Sequence, residues 1–177
     1  TNYRDSGGLI GVRSRGHLVA DFLRSNDGPG TFLETVFVNA NSYSGFNLIV
    51  GKLNELEDEL WYFSNRGGEP TPLEPGFYGL SNHLLNTSWP KVTRGLRSFS
   101  DVVSKDEIDP DECFELLSDE TIAIDEELPH TGFGIERERI LSPIFIRTSE
   151  YGTRSSSVVT FDNEFRWEFE ERVFVWP

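Results

Sequence analysis

Residues 78–91, Tyr78-Gly79-Leu80-Ser81-Asn82-His83-Leu84-Leu85-Asn86-Thr87-Ser88-Trp89-Pro90-Lys91, hand an extended segment over to a helix through a run of polar groups. Residues 77–80 follow a Pro75-Gly76 turn and predict a short buried strand. Thr87 or Ser88 is the expected cap of the helix, with Pro90 in the first turn, where no N–H donor is needed. Asn82 therefore sits at a strand-to-helix junction. Its amide can face a cleft, or it can tie down its own turn.

Such a junction needs a core to rest on, and 177 residues with 37% hydrophobic and 13% aromatic content can build one substantial core, predicting a single domain over 1–177. The net charge of −14, without clustered Lys and Arg, argues against a nucleic-acid or anionic-membrane surface. No apolar run is long enough to cross a bilayer, so stable membrane insertion is not expected and a soluble, cytoplasmic chain is. The single cysteine, Cys113, excludes an intrachain disulfide and reads as a buried structural thiol among acids that would raise its pKa. His17, His83 and His130 share no metal-ligand spacing, and no metal is assigned. The sequence contains no methionine, so Thr1 reads as lying downstream of the natural start.

In chain order, Leu18, Phe22 and their neighbours, then Phe32, Leu33, Val36 and Phe37, predict a helical hairpin broken at Asn26-Asp27-Gly28-Pro29-Gly30. Residues 46–50 and 59–65 predict an antiparallel hairpin, with the acidic residues 54–58 turning between them. Val92, Leu96, Phe99 and Val103 continue the Trp89 helix, and a further helix is expected near 111–118. Residues 140–147 read as a strand. A final hairpin over 158–161 and 165–174 alternates apolar and charged residues, which predicts one wet face. Together these elements predict a layered α+β domain.

Several short motifs recur in a recognisable order: Thr1-Asn2-Tyr3, Ser14-Arg15-Gly16, Ser44-Gly45-Phe46-Asn47-Leu48, Ser64-Asn65-Arg66-Gly67, Gly79-Leu80-Ser81-Asn82 with Trp89-Pro90-Lys91, and Tyr151-Gly152-Thr153-Arg154. In this combination the chain resembles the NRDE family, also called the Transport and Golgi organisation protein 2 family, over residues 1 to about 174. Residues 137–146 are similar to its bacterial branch. The resemblance implies an N-terminal-nucleophile-hydrolase-like αββα sandwich of mainly antiparallel sheets. The family's initial Met-Cys and Asn-Arg-Asp-Glu motif are not in this sequence, so it is expected to lack the first strands, leaving a sheet edge open to self-association.

The family is similar to choloylglycine-type amidases, which implies catalytic positions at Asn2 near an oxyanion hole, Asn82 orienting the nucleophile region and Arg154 stabilising charge. Thr1 matches an internal family segment and is not expected to be a nucleophile. The resemblance equally implies a binding or trafficking role in secretory-pathway organisation, acyl-CoA or lipid homeostasis, or haem movement. A small amphipathic anionic ligand would then meet Tyr3, Arg66, Tyr78, His83, Trp89 and Tyr151. No cofactor is required by this reading; haem is a candidate ligand, with His83 the one histidine near the site. For Asn82 and Arg154 two readings stand: site donors, or groups that satisfy a strand end and pair with acids.

Overall fold

The computed structural model describes residues 1–4, 11–53, 58–105, 107–162 and 164–175. Its contacts divide the chain into two compact units, residues 1–76 with 80–87 and residues 77–79 with 88–177.

In the first unit the helical stripes form α1 (Gly16–Arg24) and α2 (Pro29–Val38), and α2 opens on Pro29. Phe22 and Phe32 join the two helices with ring centroids 5.1 Å apart. The aromatic and β-branched runs form β1 (Asn47–Lys52) and β2 (Glu59–Ser64), antiparallel from Asn47↔Ser64 to Lys52↔Glu59. A short β3 (Thr71–Pro72) adds to the free edge of β2, where the sequence suggested only a loop. The expected turn between β1 and β2 falls largely on residues 54–57, outside the described residues.

Alternation gives this sheet two different faces. Leu48, Val50 and Phe63 enter a core with Phe32, Leu33 and Val36, and Leu33 is fully buried. Phe46 is the hinge of that core, meeting Tyr43 and Phe63 edge-to-face at 5.8 and 5.6 Å. Burying each such side chain contributes about 1.5–3 kcal/mol. The opposite face carries Asn47 and Tyr62, so helices cover one side while polar chemistry gathers on the other.

The second unit contains α3 (Pro90–Val103), α4 (Pro110–Leu117), α5 (Ile135–Ile140), β4 (Ser155–Phe161) and β5 (Trp167–Val173). Helices together with named strands that all pair antiparallel make the protein α+β. The helix α3 begins as expected with Pro90 in its first turn, but its N-cap is Trp89, which makes no side-chain capping bond. Thr87 Oγ1 donates instead to Leu84 O at 2.7 Å. In α4, Asp109 is a true cap, its carboxylate accepting the Asp111 N–H at 2.9 Å.

Two expected strands do not form. Residues 77–80 form no named strand; Gly79 instead backs directly onto α3, where a Cβ would lie 2.6 Å from Val92 Cγ1 and 3.0 Å from Leu96 Cγ. The strand expected over 140–147 is also missing: α5 runs through Ile140, and Arg139 holds its last turn through Asp125 at 2.6 Å and Glu136 at 2.5 Å. After it only an isolated Arg147↔Gly152 bridge remains. The last hairpin forms, with Val159↔Phe169 and Phe161↔Trp167 as partners, yet the face left exposed is the aromatic one. The charged row of β5 turns toward α4, where the Arg172 guanidinium lies 3.8 Å from the centre of the Phe114 ring and pairs with Asp111.

Candidate functional site

Residues 1–4 run as a strand-like segment between two others. On one side Thr1 N donates to Asn47 O and Asn47 N to Thr1 O, each at 2.8 Å, and Tyr3 N donates to Gly45 O at 3.0 Å. On the other side Arg4 N donates to Asn82 O at 2.6 Å, and Thr1 Oγ1 donates to Ser81 O at 3.2 Å. Asn82 is the clip: its Nδ2 donates to Asn2 O at 3.0 Å and Thr1 Oγ1 at 3.3 Å, while its Oδ1 accepts from Arg4 Nη2 at 3.5 Å. Asn82, in the loop that precedes α3 in sequence, thus fixes the path of residues 1–4.

Next to Asn82, His83 is held from both ends. Tyr3 Oη lies 2.7 Å from His83 Nε2, and Thr87 Oγ1 lies 2.9 Å from Nδ1. The Thr87 hydroxyl spends its proton on Leu84 O, so it accepts from Nδ1–H, and Nε2 is left to accept from the Tyr3 hydroxyl. Burial pushes the His83 pKa below its usual 6.5. The ring is therefore a neutral, oriented group packed 4.8 Å from the Tyr3 ring, and an axial metal bond through Nε2 would have to displace the Tyr3 hydroxyl.

The polar face of the sheet supplies a second tier. Tyr62 Oη donates to Asn47 Oδ1 at 2.7 Å and accepts from Leu85 N at 3.1 Å, and burial pushes its phenol above the usual 10.0. Asn47 is almost fully buried, and among the described residues its Nδ2 has no acceptor. Arg15 approaches the same segment from α1, with Nη1 donating to Gly45 O at 2.9 Å, the oxygen that also takes Tyr3 N–H. Among the described residues this guanidinium has no carboxylate partner. Burial first, then the charge of Arg15, pushes the Thr1 amino group below its usual 8.0.

The first unit thus brings together Asn2, Tyr3, Asn82 and His83, with the Asn2 side chain exposed. Arg66 lies in the same unit, its Nη1 on Asn65 O at 3.3 Å. Asn65 itself is structural, its amide accepting Phe46 N–H at 2.9 Å and donating to Ala40 O and Tyr43 O. The other expected site residues belong to the second unit: Tyr78 is half-buried, Trp89 is buried at the start of α3, and Tyr151 and Arg154 are exposed. Arg15, Asn47 and Tyr62 had not been singled out, and Thr87 had been named only as a possible helix cap. Arg15 and Asn47 stand inside quoted motifs, the one signal that could have found them.

The model of the family described as Transport and Golgi organisation 2 matches residues 1–175. The chain belongs to the Transport and Golgi organisation 2 family. It is 35% identical over 182 residues to the Transport and Golgi organization protein 2 homolog of Bos taurus, a match covering 97% of the chain and 66% of that relative. The Mus musculus homolog is 33% identical over 182 residues with the same coverages, and the Homo sapiens homolog 33% over 172 residues, covering 91% and 62%. The chain thus spans about two thirds, 62–66%, of the length of these family members. Among the described residues, no helix is long and apolar enough to cross a membrane, and no group of three His, Cys, Asp or Glu is placed to hold a metal ion.

Proposed function

We propose that this Transport and Golgi organisation 2 family protein binds an amphipathic anionic ligand, an acyl-CoA, a lipid or haem, in a carrier or trafficking role on an N-terminal-nucleophile-hydrolase-like sandwich. The observation that carries this reading is Arg15. In a chain of net charge −14, a guanidinium rests on the neutral oxygen of Gly45, which also takes the Tyr3 N–H, and among the described residues it meets no carboxylate. A ligand carboxylate or phosphate is the counter-ion that such a group accepts best. Both His83 nitrogens are occupied and its pKa is low, which favours a positioning role for the ring over general-base work. The relatives bear the words transport and Golgi organization in their names, in keeping with a carrier. The test uses the natural full-length protein, titrated with palmitoyl-CoA and with haemin. Saturable binding without amide turnover supports the reading; no saturable binding of either overturns it.

One observation favours a second reading, an amidohydrolase of linear amides. The acceptor-free Asn47 Nδ2 lies on β1 alongside residues 1–4, where an amide donor could meet a developing oxyanion. The nucleophile would be the initial cysteine of the family pattern, whose free α-amine takes the thiol proton as sulfur attacks the carbonyl. Amide hydrolysis by the full-length protein, abolished when that cysteine becomes alanine, would establish it; a screen without turnover removes it.

A further inference from the structure

We propose that the cleft between α3 and α4 in the second unit binds a small basic amino acid, a molecule with one carboxylate, two cationic groups and a methylene stem. The cleft encloses about 550 Å³. Two ion pairs stand in its lining: Arg94 Nε meets Asp119 at 3.0 Å, and Lys105 Nζ meets Glu112 Oε1 at 2.5 Å. The remaining lining charges are uncommitted. The side chains of Arg97, Asp101 and Glu115 make no hydrogen bond or ion pair among the described residues. The second carboxylate oxygen of Glu112, Oε2, is buried without a hydrogen-bond partner among the described residues.

This pattern selects a ligand by charge and by shape. A planar guanidinium is suited to bidentate contact with a carboxylate, so Arg97 would take the anionic end. The carboxylates of Asp101 and Glu115 are acceptors only, suited to ammonium or guanidinium groups. One uncommitted positive charge faces two negative ones, so the complementary ligand carries one net positive charge. A lone anion would meet the acidic wall, and a simple diamine would leave Arg97 without a counter-charge. Val102, Leu116 and Ile144 line the same space and would cover the methylene stem. The site is separate from the one around residues 1–4 and does not depend on it.

The natural full-length protein is titrated by calorimetry with L-lysine at low ionic strength, then with norleucine, which lacks the side-chain amine, and 1,5-diaminopentane, which lacks the carboxylate. Saturable L-lysine binding is expected, with both truncated probes and the variants Arg97→Ala and Glu115→Gln weaker by ~10-fold or more. Neither side chain has an internal bond, so both variants should unfold at the parent's midpoint. Chemical-shift changes caused by L-lysine should cluster at residues 94–119. Absence of saturable binding, affinities untouched by both variants, equal binding of either truncated probe, or shifts elsewhere would each overturn the proposal.

Discussion

His83 has a state fixed by its neighbours, and it can be read directly. Nitrogen chemical shifts should show Nδ1 carrying the proton and Nε2 accepting. Tyr3→Phe removes a donor that favours the neutral ring, so the His83 pKa should rise in that variant, with about 1 kcal/mol of stability lost. The folded pKa lies below the usual 6.5, so between the two values the unfolded chain binds more protons. The contribution of His83 is therefore complete above pH 6.5 and is lost as pH falls through the folded value. Tyr62 offers a second test at this scale. Tyr62→Phe leaves both Leu85 N–H and Asn47 Oδ1 unpaired, so urea unfolding should show a loss of about 1–3 kcal/mol; an unchanged midpoint would refute the described network. Asn82 and His83 could be found from the sequence because they stand shortly before the helix start marked by Pro90, a local pattern, whereas Tyr3 was named only through the family resemblance. Arg15 and Asn47 stand in quoted motifs, but their roles were not legible there, because those roles arise only when residues 1–3 pair with residues 45–47.

At the scale of elements, the helical hairpin, the β1–β2 hairpin, α3 and α4 were legible because each repeats its apolar period over several residues. The short runs at 77–80 and 140–147 carry no such period, and tertiary contacts decide them. Phe145, for instance, is fixed by its N–H on Asp119 O at 2.8 Å rather than by a strand ladder. Alternation in β5 was also legible, but not which row faces outward; Arg172 on the Phe114 ring decides that. Gly79→Ala tests the packing that replaces the expected strand. The added methyl would meet Val92 at 2.6 Å, and forcing it in should cost about 1–3 kcal/mol, read as a lower thermal midpoint. An unaltered midpoint would mean that Gly79 does not back onto α3.

For the whole molecule, acidity sets the behaviour. Asp119 is held below its usual 3.8, burial opposing the shift but outweighed by hydrogen bonds from Thr121 and Arg94, and Asp125 is held down by Arg139. Their folded values lie below the unfolded one, so this stabilisation is present above about pH 3.8 and fades as pH falls through the folded values. Acid unfolding should therefore come in two ranges, a mild loss below His83's usual pKa and a steeper one where carboxylates protonate. Leu33→Ala empties the most buried position of the first unit's core and should cost about 2–5 kcal/mol. The α+β class was legible at this scale because class follows from element types, whereas the convergence of Asn2, Tyr3, Asn82 and His83 depends on the path of the chain. The most direct test of a binding role is the affinity of the natural full-length protein for palmitoyl-CoA, compared among parent, Arg15→Ala and Arg97→Ala. Saturable binding weakened ~10-fold by Arg15→Ala and unchanged by Arg97→Ala is expected. No saturable binding, or equal affinity in the parent and Arg15→Ala, would contradict it.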